Sequence, residues 1–154
     1  MTDRLASPRP YVFALATPHG EPADLDLECG IISAVLTGTV TPGELAIAAD
    51  DFYATVNRLL WPELLAAPDP TDVPAVVAAS EIHGPLLEEL ETLRDGQPFF
   101  VPARVKVACA RVRELARQRR LIAVLQSIDA QLRIGCLDVK GARARLSEFF
   151  KGAA

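Results

Sequence analysis

Four cations are the residues best placed to do chemistry in this chain. Lys106, Arg113, Arg117 and Arg120 are spaced by 7, 4 and 3 residues. On a helix that spacing gathers all four within about 60° of one another. Aligned cations of this kind can follow a phosphate backbone. The same pattern also serves an ordinary solvated face, or one matched to an acidic surface of the same protein. No aromatic residue interleaves with the cations, which weakens a base-stacking role on single strands. Arg104, Arg111 and Arg119 point elsewhere. Arg119 falls on the apolar side of the helix and calls for a carboxylate or for the carbonyls at a helix C-terminus.

Other reactive types are present without a usable arrangement. His19 and His83 each adjoin a glycine, with no carboxylate pair at ligand or relay spacing, so both read as solvated turn histidines. The acid pairs Asp50/Asp51 and Glu88/Glu89 are explained by helix starts and a wet surface. There is no Gly-x-x-x-x-Gly-Lys-[Ser/Thr] loop, no Gly-x-Gly-x-x-Gly and no Gly-x-Ser-x-Gly. Cys29, Cys109 and Cys136 share no ligand spacing and read as small filler in a reducing cytoplasm. The expectation is a protein that is not an enzyme and uses no metal or cofactor.

The element that must carry the cations is a long helix followed by a return helix, from Pro102 to Phe150. Its apolar stripe changes direction midway. Val105, Ala108, Cys109, Val112, Leu115 and Ala116 share one face. Leu121, Leu125, Ile128 and Leu132 share nearly the opposite one, and the break falls at Gln118-Arg119-Arg120. A helix with two apolar directions has two things to cover. The first half is expected to pack on the body, and the second to pair with the return helix and with another subunit. Gly135 suits a C-cap and Asp138 an N-cap, with Val139, Ala142, Leu146 and Phe149/Phe150 at helical spacing beyond. The result is an antiparallel helical hairpin. Burial of both arms in a monomeric bundle is the alternative.

At 154 residues the chain is long enough for one domain with a real core. Residues 1–100 hold four arginines against sixteen acids, while residues 101–154 hold twelve Lys/Arg against four. That asymmetry suggests contacts between body and hairpin, or an anionic partner for the hairpin. No apolar run reaches the length of a membrane span. Tyr11–Ala16 is too short for a secretory signal, so a cytoplasmic protein is expected.

In chain order, the prolines of residues 1–22 predict an extended arm that Tyr11, Val12 and Phe13 could dock. A first helix is expected from about Ala23 to Leu36, with Leu25, Ile32, Val35 and Leu36 inward and Gly38 after it. Thr41-Pro42-Gly43-Glu44 resembles a capping box that starts a short helix through Ala49. Asp50-Asp51-Phe52-Tyr53 is expected to begin the next helix, with Val56, Leu59, Leu60, Leu64 and Leu65 inward. A kink or break is expected where Pro62 follows Trp61. Asp72 can cap a short helix carrying Val73, Val76 and Val77. Gly84-Pro85 then precedes a helix ending near Arg94-Asp95-Gly96. The segment from Gln97 to Pro102 links the body to the hairpin. The fold class is all-α: a Pro-rich arm (1–22), a globular body of short helices (23–100) and a helical hairpin (101–154), forming a single domain overall.

With these residues in view, the chain resembles the N-terminal domain of the DnaB-type replicative DNA helicase, over roughly Pro18 to Phe150. The resemblance rests on several short segments in a fixed order. Leu25-Asp-Leu-Glu28 followed by Ile32-Ser-Ala-Val-Leu36 is similar to the family's acid-then-apolar first helix. Asp51-Phe52-Tyr53 with Arg58-Leu59-Leu60-Trp61 is similar to its Asp-Phe-Tyr…His-Arg-x-Ile-Phe segment, with Asn57 in the place of the usual histidine. Pro70-Thr-Asp72 resembles the turn before its short helix. Val112-Arg-Glu114, Ala116 and Arg119-Arg-Leu-Ile122 resemble the start of its hairpin. Arg104 stands where an asparagine is common, and the ATPase motor is missing.

The resemblance implies a helical body with an exposed hairpin. In that family such domains pair through their hairpins into a collar and dock primase and some loaders. The expected function is therefore a non-catalytic interaction module of DNA replication that forms a homodimer or higher oligomer and contacts a replicative helicase, a primase or a helicase loader. Its interface residues would be Leu121, Leu125, Ile128, Leu132, Val139, Ala142, Leu146 and Phe150. The alternative is a direct DNA binder, or a decoy that inhibits a helicase, using the basic face of Lys106, Arg113, Arg117 and Arg120. No membrane partner is expected.

Overall fold

Small residues on the first helix decide how closely everything else can approach it. In the computed structural model, which describes residues 21–80, 86–95 and 101–152, this helix is α1, Leu25–Leu36. Asp24 caps it, accepting the Leu27 N–H at 3.1 Å. Gly30, Ser33 and Ala34 are buried beside Ile31, Ile32, Val35 and Leu36, so nearly the whole circumference of its later turns is covered. Gly38 ends it at φ +69°, with Thr39 N–H donating to the Ala34 carbonyl and Gly38 N–H to that of Val35. This is a Schellman stop, and a residue with a Cβ is strained in that conformation.

The described residues form six α-helices and two 3-10 turns, with no strand among them, so the all-α class holds. After α1 come α2 (Thr55–Ala66), α3 (Val73–Ala79), α4 (Leu86–Asp95), α5 (Pro102–Arg133) and α6 (Val139–Gly152). Helices α4 and α5 both pack on α1, α3 packs on α4, and α2 joins α1 and α3. The core gathers Ile31, Ile32, Phe52, Trp61, Leu64 and Val105 with their neighbours, and its last residue along the chain is Val112. Phe52 and Trp61 meet with ring centroids 5.2 Å apart, a tilted aromatic pair. Such a pair contributes about 1 kcal/mol beyond its buried area. Ser33 Oγ donates to the Leu93 carbonyl at 3.1 Å, tying α1 to α4.

Four sequence expectations need correction. Thr41-Pro42-Gly43-Glu44 makes only a 3-10 turn, Pro42–Glu44, with no side-chain cap from Thr41, and no helix continues to Ala49. Asp50-Asp51-Phe52-Tyr53 does not start a helix either. Ala49–Asp51 is a separate 3-10 turn, and α2 begins at Thr55. The reason is Phe52, which takes extended backbone (φ −72°, ψ 140°) to drive its ring into the core. Leu59 and Leu65 face outward, and the inward stripe of α2 is Leu60, Trp61 and Leu64. Trp61 is large enough to turn the helix toward its own side. Pro62 does not break α2, which continues to Ala66. Asp72 caps α3 as expected, accepting the Ala75 N–H at 3.2 Å. Residues 1–20, with the Tyr11–Phe13 dock and His19, lie outside the described residues. So do His83, Gly84-Pro85 and the linker from Gln97 to Phe100.

Candidate interaction site on the helical hairpin

Helix α5 is long, about 48 Å at 1.5 Å per residue, and it leaves the body partway along. Val105, Ala108, Cys109, Val112, Leu115 and Ala116 are buried on one side of its first half, as the stripe predicts. Past Ala116 the only residue of α5 classed as buried is Ile128. The turn that reverses the chain is another Schellman stop. Gly135 sits at φ +72°, Cys136 N–H donates to the Gln131 carbonyl at 2.9 Å, and Gly135 N–H donates to that of Leu132. Asp138 Oδ1 then accepts the Gly141 N–H at 2.7 Å and starts α6. A Cβ at Gly141 would meet Leu137 Cδ1 at 2.7 Å, so the Leu137 side chain would have to shift to admit one.

The seam of the hairpin is narrow. Ile128 and Ala142, 6% and 8% exposed, are its buried pair, and Leu121 and Leu146 are half-buried alongside. Both Ile128 and Ala142 are thus enclosed by their own chain. Leu125, Leu132, Val139 and Phe150 remain 45%, 39%, 80% and 52% exposed. Ile122 and Ile134 are exposed as well. Neither falls on the apolar stripe of Leu121, Leu125, Ile128 and Leu132. Ile134 lies at the helix C-cap, just beyond the periodic run, and its only signal was an apolar residue beside a turn glycine. Phe149 meets Phe150 edge-on at 5.5 Å. The hairpin therefore carries a run of apolar side chains that its own two helices do not cover.

The base of the hairpin is fixed to the body by polar contacts centred on the break in the stripe. Arg119 Nη1 donates to the Pro22 carbonyl at 2.7 Å, and Nη2 donates to the Asp51 carbonyl at 2.6 Å. Of the two expected partner types, a carboxylate or helix C-terminal carbonyls, the guanidinium takes carbonyls: that of Asp51 ends a 3-10 turn, and that of Pro22 precedes α1. The guanidinium also lies 5.4 Å from the centroid of the Tyr53 ring. Burial pulls the Arg119 pKa below its ordinary value, and Glu28 and Glu21 act in the opposite direction. Arg120 Nη2 reaches Asp51 Oδ1 at 3.0 Å, while Asp51 Oδ2 accepts the Ala48 N–H at 3.0 Å.

Behind this contact is a carboxylate whose role the sequence concealed. Glu28 lies in an early turn of α1, where the helix dipole explains an acid, yet its side chain is buried. It accepts the Tyr53 N–H at 2.6 Å, the Ala54 N–H at 3.1 Å and Asn57 Nδ2 at 3.0 Å. An acid from α1 thus supplies the acceptors at the start of α2, where Ala54 has no side chain that could cap. Only a contact between residues far apart in the chain could reveal it.

The four cations separate. Arg113, Arg117 and Arg120 line one groove between α5 and the end of α6, and Lys106 is not among its walls. Arg120 is matched to Asp51, and Glu114 and Glu148 share the groove. A continuous phosphate-tracking stripe is therefore interrupted by acids. Of the acid pairs, Asp51 is committed to Ala48 and Arg120, and Glu88 is exposed in the first turn of α4. Partial burial raises the pKa of Glu89. Cys109 is buried, Cys29 half-buried and Cys136 exposed at the turn. Among the described residues, no group of three or more His, Cys, Asp or Glu is placed to hold a metal ion. No described helix is long and apolar enough to cross a membrane. Neither a protein-family model nor a curated protein sequence matches the chain.

Proposed function

We propose that this protein is a non-catalytic interaction module of DNA replication, which self-associates through its hairpin in the manner of a replicative-helicase collar and docks a helicase, a primase or a loader. One observation carries the self-association. The hairpin packs on itself through a narrow seam at Ile128 and Ala142 and leaves Leu125, Leu132, Val139 and Phe150 open along its length. Two such surfaces related by a twofold axis can cover one another, since an isologous contact needs only one self-complementary patch. The replication setting rests on the resemblance of the Glu28, Asp51-Phe52-Tyr53 and Arg119-Arg120 segments to the helicase domain. Their mutual contacts support that reading, because these segments meet at the base of the hairpin.

Light scattering coupled to size-exclusion chromatography tests the assembly. The expected mass is at least that of a dimer, and Leu125→Asp should reduce it to a monomer with the body still folded. A strict monomer at high protein concentration overturns the proposal. A pull-down against purified replicative helicase, primase and loader tests the setting, with retention of at least one as the expected result.

A further inference from the structure

A second recognition surface lies beside the apolar one. The groove between α5 and the C-terminal end of α6 has a volume of about 700 Å³ and is bordered by Arg113, Glu114, Arg117, Glu148, Phe149 and, at its body end, the Asp51–Arg120 pair. Its cations are not equivalent. Arg120 is spent on Asp51 at 3.0 Å. Arg113 and Arg117 stand one turn apart, and neither side chain makes a hydrogen bond or an ion pair among the described residues. Two unmatched guanidinium forks side by side can each take a carboxylate in a bidentate hold.

We propose that this groove binds an acidic peptide segment of a partner protein, with Arg113 and Arg117 holding its carboxylates and Phe149 packing an apolar side chain between them. Glu148 decides between peptide and nucleic acid. A nucleic-acid strand brings a negative charge at every nucleotide and no donor along its phosphates, so Glu148 and Glu114 repel it. A peptide brings backbone N–H groups that Glu148 can accept, and it can space its acids to avoid that carboxylate. The groove is distinct from the self-association surface: on the α5 wheel the Arg113/Arg117 side and the Leu125/Leu132 side lie about 90° apart.

The test uses the full chain and a fluorescein-labelled peptide in which two acidic residues, separated by Gly and a single Leu, are spaced to reach Arg113 and Arg117 while passing Glu148, followed by fluorescence anisotropy. Saturable binding is expected, and Arg113→Glu with Arg117→Glu should weaken it at least about tenfold, as two charge-assisted contacts imply. Arg104→Glu with Lys106→Glu removes the same charge from exposed positions outside the groove and should change binding less than about twofold. Replacing the peptide leucine by serine should also weaken it. No saturable binding, or an equal loss in both double variants, overturns the proposal. Tighter binding of an oligothymidylate of matched charge, lost in the Arg113/Arg117 variant, overturns it in favour of a nucleic-acid strand. The scattering mass of that variant separates this site from self-association. An unchanged mass is expected, and a lowered mass would assign the groove to the contact between copies.

Discussion

The Glu28 carboxylate accepts the Tyr53 backbone N–H at 2.6 Å, joining α1 to the start of α2. Its other oxygen takes the Ala54 N–H and Asn57 Nδ2, so one buried side chain satisfies three donors. Glu28→Ala would leave those donors, at half-buried positions, without their acceptor. Hydrogen bonds to a charged group are worth about 1.5–3 kcal/mol each, and the losses here are not additive. The expected destabilisation is about 3–5 kcal/mol by urea denaturation. A loss below about 1 kcal/mol would show that the N–H groups find other acceptors.

Adjacent arginines should differ sharply. Arg119 is half-buried and donates to two backbone carbonyls while covering Tyr53, so Arg119→Ala should cost about 2–3 kcal/mol. Arg119→Lys should recover little of it, because an ammonium cannot span two carbonyls in a planar fork. The side chain of Arg120 is 54% exposed and makes one ion pair. Solvent screening holds the expected cost of Arg120→Ala to about 0.5–1 kcal/mol. Equal costs in the two alanine variants, measured by urea denaturation, would contradict this ranking.

Two residues of one stripe should respond in opposite ways to the same substitution. Ile128→Asp buries a carboxylate in the seam against Ala142 and should unfold the hairpin, seen as lost helical circular dichroism and faster proteolysis around residues 121–152. Leu125→Asp should leave monomer stability within about 0.5 kcal/mol, since the side chain is already half in water. Limited proteolysis with mass spectrometry reads both outcomes. A protected hairpin in Ile128→Asp would mean that the seam is closed by other contacts.

The cysteines give a readout of burial that needs no partner. Desolvation pushes the Cys109 thiol up to about 11, so the nucleophilic thiolate is scarce at neutral pH as well as enclosed. Cys136 lies exposed at the hairpin turn. A thiol reagent at pH 7 should label Cys136 first and Cys109 only after denaturant is added. Fast labelling of Cys109 in the native protein would show that α5 opens from the body.

Local signals in the sequence determined the helices, their stops and the division of α5. Asp24, Asp72 and Asp138 cap as their side chains dictate, and Gly38 and Gly135 supply the left-handed backbone at two helix ends. These are interactions over three to five residues, which a linear reading can reach. The reversal of the apolar stripe at Gln118-Arg119-Arg120 likewise placed the point where the core ends. Tertiary structure alone decided the rest. Phe52 overrode a good helix start because burying its ring outweighs a cap, and Trp61 turned α2 so that Leu59 and Leu65 face water. Glu28 became the acceptor for a distant helix, and Asp51 split Arg120 from the other cations. Desolvation and charge pairing act through space, so no spacing along the chain could announce which acid would meet which donor.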